Sequence, residues 1–168
     1  ITCVLGTMVA AVAETKLEYM PRFPEEELEN PHVYAPSLPM PQGFVDGQWQ
    51  GIIAASDGKT YFSFSSHSPK HNAQFYRYDP DTDEVAHLID VGVWCGYDDS
   101  PGVYNAQGKI HSNIYEHNGK LYCSTTSAHA TREYPYPGGH FIAYDLTTGK
   151  FLDLAKVDYD GRGGLLTM

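Results

Sequence analysis

The chain has 168 residues, with 11 lysines and arginines against 21 aspartates and glutamates and a formal net charge of −10. That balance argues against nucleic acid as a partner, because phosphate binding needs a basic stripe, and it disfavours a strongly polyanionic ligand unless the site is locally basic. No apolar run approaches the ~20 residues needed to cross a bilayer, so no membrane span is expected.

Ile1 to Ala13 is an uncharged apolar run ending Ala11-Val12-Ala13, the pattern of a secretory h-region and cleavage site without its basic n-region. Residues 1–13 are therefore expected to be a truncated signal peptide and the protein secreted or periplasmic; the competing reading is a buried N-terminal strand. Residues 14–48 carry Pro21, Pro24, Pro31, Pro36, Pro39 and Pro41 with no clear period, which predicts a surface segment leading to the first repeat. Within it, Pro24-Glu-Glu-Glu-Leu28 suits one helical turn, since proline and acids both favour that end of a helix.

From there the chain repeats itself. Asp57-Gly-Lys-Thr-Tyr-Phe-Ser-Phe-Ser-Ser-His67 returns as Asn118-Gly-Lys-Leu-Tyr-Cys-Ser-Thr-Thr-Ser-Ala-His129. Phe75-Tyr-Arg-Tyr-Asp-Pro-Asp-Thr-Asp-Glu-Val85 returns as Phe141-Ile-Ala-Tyr-Asp-Leu-Thr-Thr-Gly-Lys-Phe151. The offset is 61 for the first pair and 66 for the second, so the repeat absorbs a five-residue insertion. Hairpin signals at Asp57-Gly58 and Asn118-Gly119, with aromatic and β-branched runs after them, predict strands rather than helices. Strands are expected at about 49–55, 59–66, 73–79 and 84–90, then at about 109–116, 120–127, 139–145 and 150–154. The predicted fold is all-β: a β-propeller fragment of two four-stranded antiparallel blades, residues 49–108 with a long connection and residues 109–156. Residues 157–168 would start a third blade, and the missing blades of the same chain would be its first partners.

Of the cysteines, Cys3 falls in the signal run, Cys95 in the long connection and Cys123 in a strand; the last two either pair or remain semi-buried thiols. Asp79-Pro-Asp-Thr-Asp83 has the look of a calcium loop, but its counterpart Asp145-Leu-Thr-Thr-Gly149 lacks the ligands, which favours a hairpin turn.

In a propeller the innermost strand starts at the face to which the second-to-third loop returns, and such loops present function. That geometry gathers Trp49, Gln50, His111 and Asn113 from strand starts with His67, His71, His129, Arg132, Tyr134, Tyr136 and His140 from the loops. The histidines carry the signal, because imidazole serves near neutrality as base, acid or metal ligand. Counting 61 residues along from Gln50 gives His111 as its counterpart. Tyrosines of the longer second loop offer flat surfaces for a sugar ring. The 92–108 connection is long enough to suggest function and is expected at the same face.

Gly108-Lys-Ile-His111, Asn118-Gly-Lys-Leu-Tyr122, Pro137-Gly-Gly-His140 and Tyr144-Asp-Leu-Thr-Thr-Gly149 together resemble secreted bacterial seven-bladed β-propellers related to ulvan and oligogalacturonate lyases, over roughly residues 45–168. The resemblance implies β-elimination on uronic-acid-containing polysaccharide or oligosaccharide. It implies His111 and His129 as base or charge neutraliser, Arg132 as carboxylate clamp and Tyr136 or Tyr134 as acid. Trp49, Gln50, His67, Asn113, Tyr134 and His140 would then bind substrate, with no cofactor required. Two other readings stay open: a non-catalytic binding or scaffold propeller, and a divalent-metal site built from His67, His71, His129 and His140.

Overall fold

The computed structural model describes residues 46–97, 106–127 and 138–157, all within one compact unit. The expectations for residues 1–45 and 158–168 lie outside the described residues. So do those for His129, Arg132, Tyr134 and Tyr136.

The described residues are all-β apart from one helical turn. The first sheet runs β1 (Ile52–Ala54), β2 (Thr60–Phe64), β3 (Gln74–Asp79), β4 (Glu84–Asp90) in sequence order, every pair antiparallel. The second has five strands: β5 (Lys109–Ile110) and β6 (Tyr115–His117) both pair with β7 (Lys120–Thr126), followed by β8 (Gly139–Asp145) and β9 (Lys150–Val157).

The two sheets repeat one another in detail. The β2–β3 and β7–β8 pairs each carry a lysine–aspartate ion pair at the same place, Lys59 with Asp79 and Lys120 with Asp145. The Lys120 ammonium, with help from the Thr148 N–H, holds the Asp145 carboxyl down to about 2. The outer hairpins each turn on a residue in the left-handed region, Asp83 (φ 57°) and Gly149 (φ 67°). Each outer pair is interrupted by a bulge at the same point, after Phe75 and after Phe141.

Inner strands depart from expectation in one way that recurs. The run predicted at 49–55 is regular only over β1 and the run at 109–116 is split into β5 and β6, because each inner strand contains a bulge. Residues 48–51 stand opposite residues 63–64, and residues 111–114 opposite residues 123–124. The long connection also begins with structure, a turn of helix α1 (Val91–Trp94) capped by Asp90, whose Oδ1 accepts from the Val93 N–H at 2.9 Å.

Period-two alternation decides which face is buried. The first sheet presents Tyr61 and Phe75 to the second, which answers with Leu121, Cys123, Ile142, Tyr144 and Phe151. The Tyr61 and Tyr144 rings lie 5.4 Å apart and those of Phe75 and Phe151 5.6 Å. The Ser56 hydroxyl and N–H both donate to the Glu116 carboxylate, closing the same interface. Tyr61 and Phe75 recur in the second sheet as Tyr122 and Phe141, yet these point to the opposite side, away from the first sheet, and stack on each other at 6.0 Å. The front of one sheet therefore covers the back of the next. Around Tyr122 and Phe141, Tyr115, Leu152 and Val157 remain exposed.

Cys95 and Cys123 are free thiols, both pushed up to about 12 by burial, with the Asp153 and Asp90 carboxylates adding to the effect at Cys95. Because a raised thiol pKa leaves the neutral form in place until pH approaches that value, neither offers thiolate at neutral pH. Iodoacetamide labelling of the native protein followed by peptide mapping is expected to leave both unmodified, with labelling on denaturation. Native-state labelling at the rate of a free thiol would contradict the raised pKa of both thiols and the burial of Cys123.

Candidate functional site

Three of the predicted residues meet at one end of the inner strands. Asp46 and Gly47 extend the inner strand alongside β2: the Asp46 N–H donates to the Ser65 carbonyl at 3.0 Å, and Gly47 bridges Ser65. The bulge then turns on Gln50, held at φ 56°. This places the Trp49 ring 4.6 Å from His67, edge to face, and 6.2 Å from His111 of the second sheet. Gly51 is needed for the approach, since a Cβ there would lie 2.4 Å from Ser63 Oγ and 3.2 Å from the Ile110 carbonyl oxygen.

The pairing corrects the repeat arithmetic. Ser65 and Thr126 are counterparts in the repeat, and their partners are Gly47 and Lys109. Trp49 and His111 each lie two residues beyond those partners, so Trp49, and not Gln50, occupies the position of His111. The one-residue slip comes from the inner hairpins. In the first, Ala54 pairs with Thr60 across five residues; in the second, the equivalent pair Glu116 and Leu121 closes across four, on the two-residue turn Asn118-Gly119. Both turn residues have positive φ, 49° and 70°, as a tight primed turn requires.

His67 is held rather than free: its Nδ1 lies 3.1 Å from Asp46 Oδ1, and its backbone N–H donates to Asp46 Oδ2 at 3.2 Å. Asp46 was not among the sequence candidates, although its place before the inner strand was the available signal. Gln50 and Asn113 sit in the two bulges, both exposed; Asn113 Nδ2 donates to the Tyr115 hydroxyl at 3.2 Å.

His140 belongs to a different set of contacts. It is buried on the back of the second sheet, its Nδ1 lies 2.8 Å from Asp153 Oδ2, and its N–H donates to Thr125 Oγ1 at 2.9 Å. Thr125 in turn donates to Gln107 Oε1 at 2.6 Å, so the strand carrying His140 is tied to the strand start beneath the site. His87 faces Gln74 Oε1 at 2.8 Å and packs on Tyr76, a structural role on the outer part of the first sheet. His71 lies in the connection between β2 and β3. Among the described residues, no three histidine, cysteine, aspartate or glutamate side chains are placed to hold a metal ion, and no helix is long and apolar enough to cross a membrane.

The residue that sequence reasoning missed is Lys109. Its Nζ lies over the Trp49 ring, 4.6 Å from the centroid, and the residue is only 8% exposed. Among the described residues no carboxylate pairs with it. The Lys109 stem is buried while its ammonium, which is not among the buried partnerless side-chain atoms, keeps contact with solvent beside the Trp49 ring. A cation–π contact at such a partly open site is worth about 0.5–1 kcal/mol, and the ammonium stays able to meet a negative charge arriving from outside. Only its place in the Gly108-Lys-Ile-His111 motif marked this lysine; nothing in the sequence said it would be buried.

Comparison with known proteins found no matching family model, no matching curated protein and no matching solved structure.

Proposed function

We propose that the chain is part of a secreted β-propeller whose mouth binds uronic-acid-containing glycans and cleaves them by β-elimination, with His111 as a reacting group. The observation that carries the reading is the convergence of Trp49, His67, His111 and Lys109 at one end of neighbouring inner strands. Front-to-back stacking of like sheets supports the propeller itself, since sheets stacked in one sense turn about a common axis and place their inner strands around it. The Tyr122 and Phe141 face, which no other described sheet covers, is the seat this reading gives to a further blade of the same chain.

In the elimination, the base removes the proton on the carbon bearing the uronate carboxylate. The electron pair forms the double bond as the glycosidic carbon–oxygen bond breaks, and an acid protonates the leaving oxygen. His111 takes the base or charge-neutralising role with His129, and Tyr136 or Tyr134 and Arg132 complete the set; these four belong to the proposal through the sequence resemblance. No residue in this scheme requires a cofactor.

The test is release of the unsaturated product, followed by its ultraviolet absorbance, from uronate polymers and from neutral polymers of similar length. His111→Ala is expected to lower the rate on uronate polymers by about 10²-fold or more while the protein stays folded. Absence of product from every uronate polymer, with binding retained, would instead favour the non-catalytic binding propeller.

A further inference from the structure

We infer that Lys109, with the Trp49 indole N–H and His111 beside it, forms a site for an oxyanion carried on a sugar, a carboxylate or a sulfate. The sugar comes from the glycan reading above, and the preference for an anion stands on the geometry alone. Lys109 can only donate hydrogen bonds, and so can Trp49 Nε1. Neither is directed at a protein acceptor among the described residues, although Lys109 is more than nine-tenths buried. The nearby carboxylate does not answer them, because Asp46 is engaged by both the side chain and the backbone N–H of His67. Donors thus outnumber acceptors where the Lys109 ammonium meets solvent, and an anion arriving there would find them unclaimed by the protein.

The site also resolves the conflict posed by a net charge of −10. Long-range repulsion of an acidic ligand is screened beyond about 10 Å at moderate salt, whereas attraction to an ammonium at direct contact is not. A polyanion can therefore be accepted one acidic group at a time, at a point where the local charge is positive.

The experiment titrates the 168-residue chain with glucuronate, glucose 6-sulfate and glucose, following the indole N–H and histidine signals by NMR. None of the three has a glycosidic bond to break, so binding is read without turnover. At least one of the two anionic sugars is expected to bind about tenfold or more tightly than glucose and to shift the Trp49 indole N–H. Lys109→Met is expected to remove that preference, and Lys109→Arg to retain much of it. Equal binding of glucose, or an unchanged anion preference in a folded Lys109→Met protein, overturns the site. The wild-type comparison decides the point even if the methionine variant does not fold. Binding of the sulfate alone keeps the anion site and removes uronate as its ligand. Lysine-dependent glucuronate binding without cleavage of any uronate polymer keeps the site and removes the lyase reading. Cleavage undiminished in Lys109→Met does the reverse.

Discussion

Phe75→Ala is expected to destabilise the fold by about 3–5 kcal/mol, whereas Phe141→Ala, the same truncation at the same point of the repeat, is expected to cost about 1 kcal/mol. The two phenylalanines share a register position beside the same bulge. Phe75 is 1% exposed and packs edge-on against Phe151 of the neighbouring sheet, while Phe141 is half-buried beside Tyr122 with no described sheet in front of it. Removing Phe75 would leave a cavity lined on both sides; removing Phe141 would open a surface that water can fill. Urea unfolding at constant m-value gives both numbers directly. Equal losses would show that something covers Phe141 as fully as the second sheet covers Phe75, and would end the reading of that face as a seat for a further blade.

Gly92→Ala is the second large effect, and here two principles disagree in sign. Helix propensity alone favours alanine over glycine by about 1 kcal/mol. Packing opposes it: a Cβ on Gly92 would lie 1.9 Å from Asn72 Oδ1 and 2.1 Å from its Cγ. Asn72 has little room to yield, because it is buried and its Oδ1 accepts from the Gln107 N–H at 3.2 Å. Overpacking costs about 1–3 kcal/mol and an orphaned buried N–H a similar amount. In a four-residue helix the propensity gain is the smaller quantity, so the net loss is expected at about 2–4 kcal/mol. The damage should also reach the site, since Gln107 stands two residues before Lys109 and four before His111. Thermal unfolding combined with hydrogen exchange over residues 106–110 checks both parts. A more stable variant would mean that Asn72 moves freely, and the link from connection to site would fail.

The inner bulges explain why the site was only partly legible. The alternation in Tyr61-Phe-Ser-Phe-Ser65 and the turn at Asn118-Gly119 fix where strands lie, because side-chain period and left-handed turn residues are local properties of the chain. The bulge at 48–51 depends on how the inner strand pairs with β2, and no residue in it announces two extra positions. Counting residues therefore matched Gln50 with His111, whereas the hydrogen-bonded partners match Trp49 with it.

His140 and Lys109 show the same division from opposite sides. Both were visible as residue types able to carry chemistry, but strand alternation and the neighbouring β9 turned His140 toward Asp153. Lys109 is the first residue of a strand and would be solvated in most settings; here its stem is buried and its ammonium lies over Trp49 from the other sheet. What the sequence determined by itself was the all-β class, the duplicated unit and the strand end at which His67 and His111 lie with Trp49. Which side chains share a cluster, and which face of each sheet is covered, was decided only by the tertiary structure, because both depend on contacts between residues some 60 positions apart, as between Trp49 and His111, that no local pattern encodes.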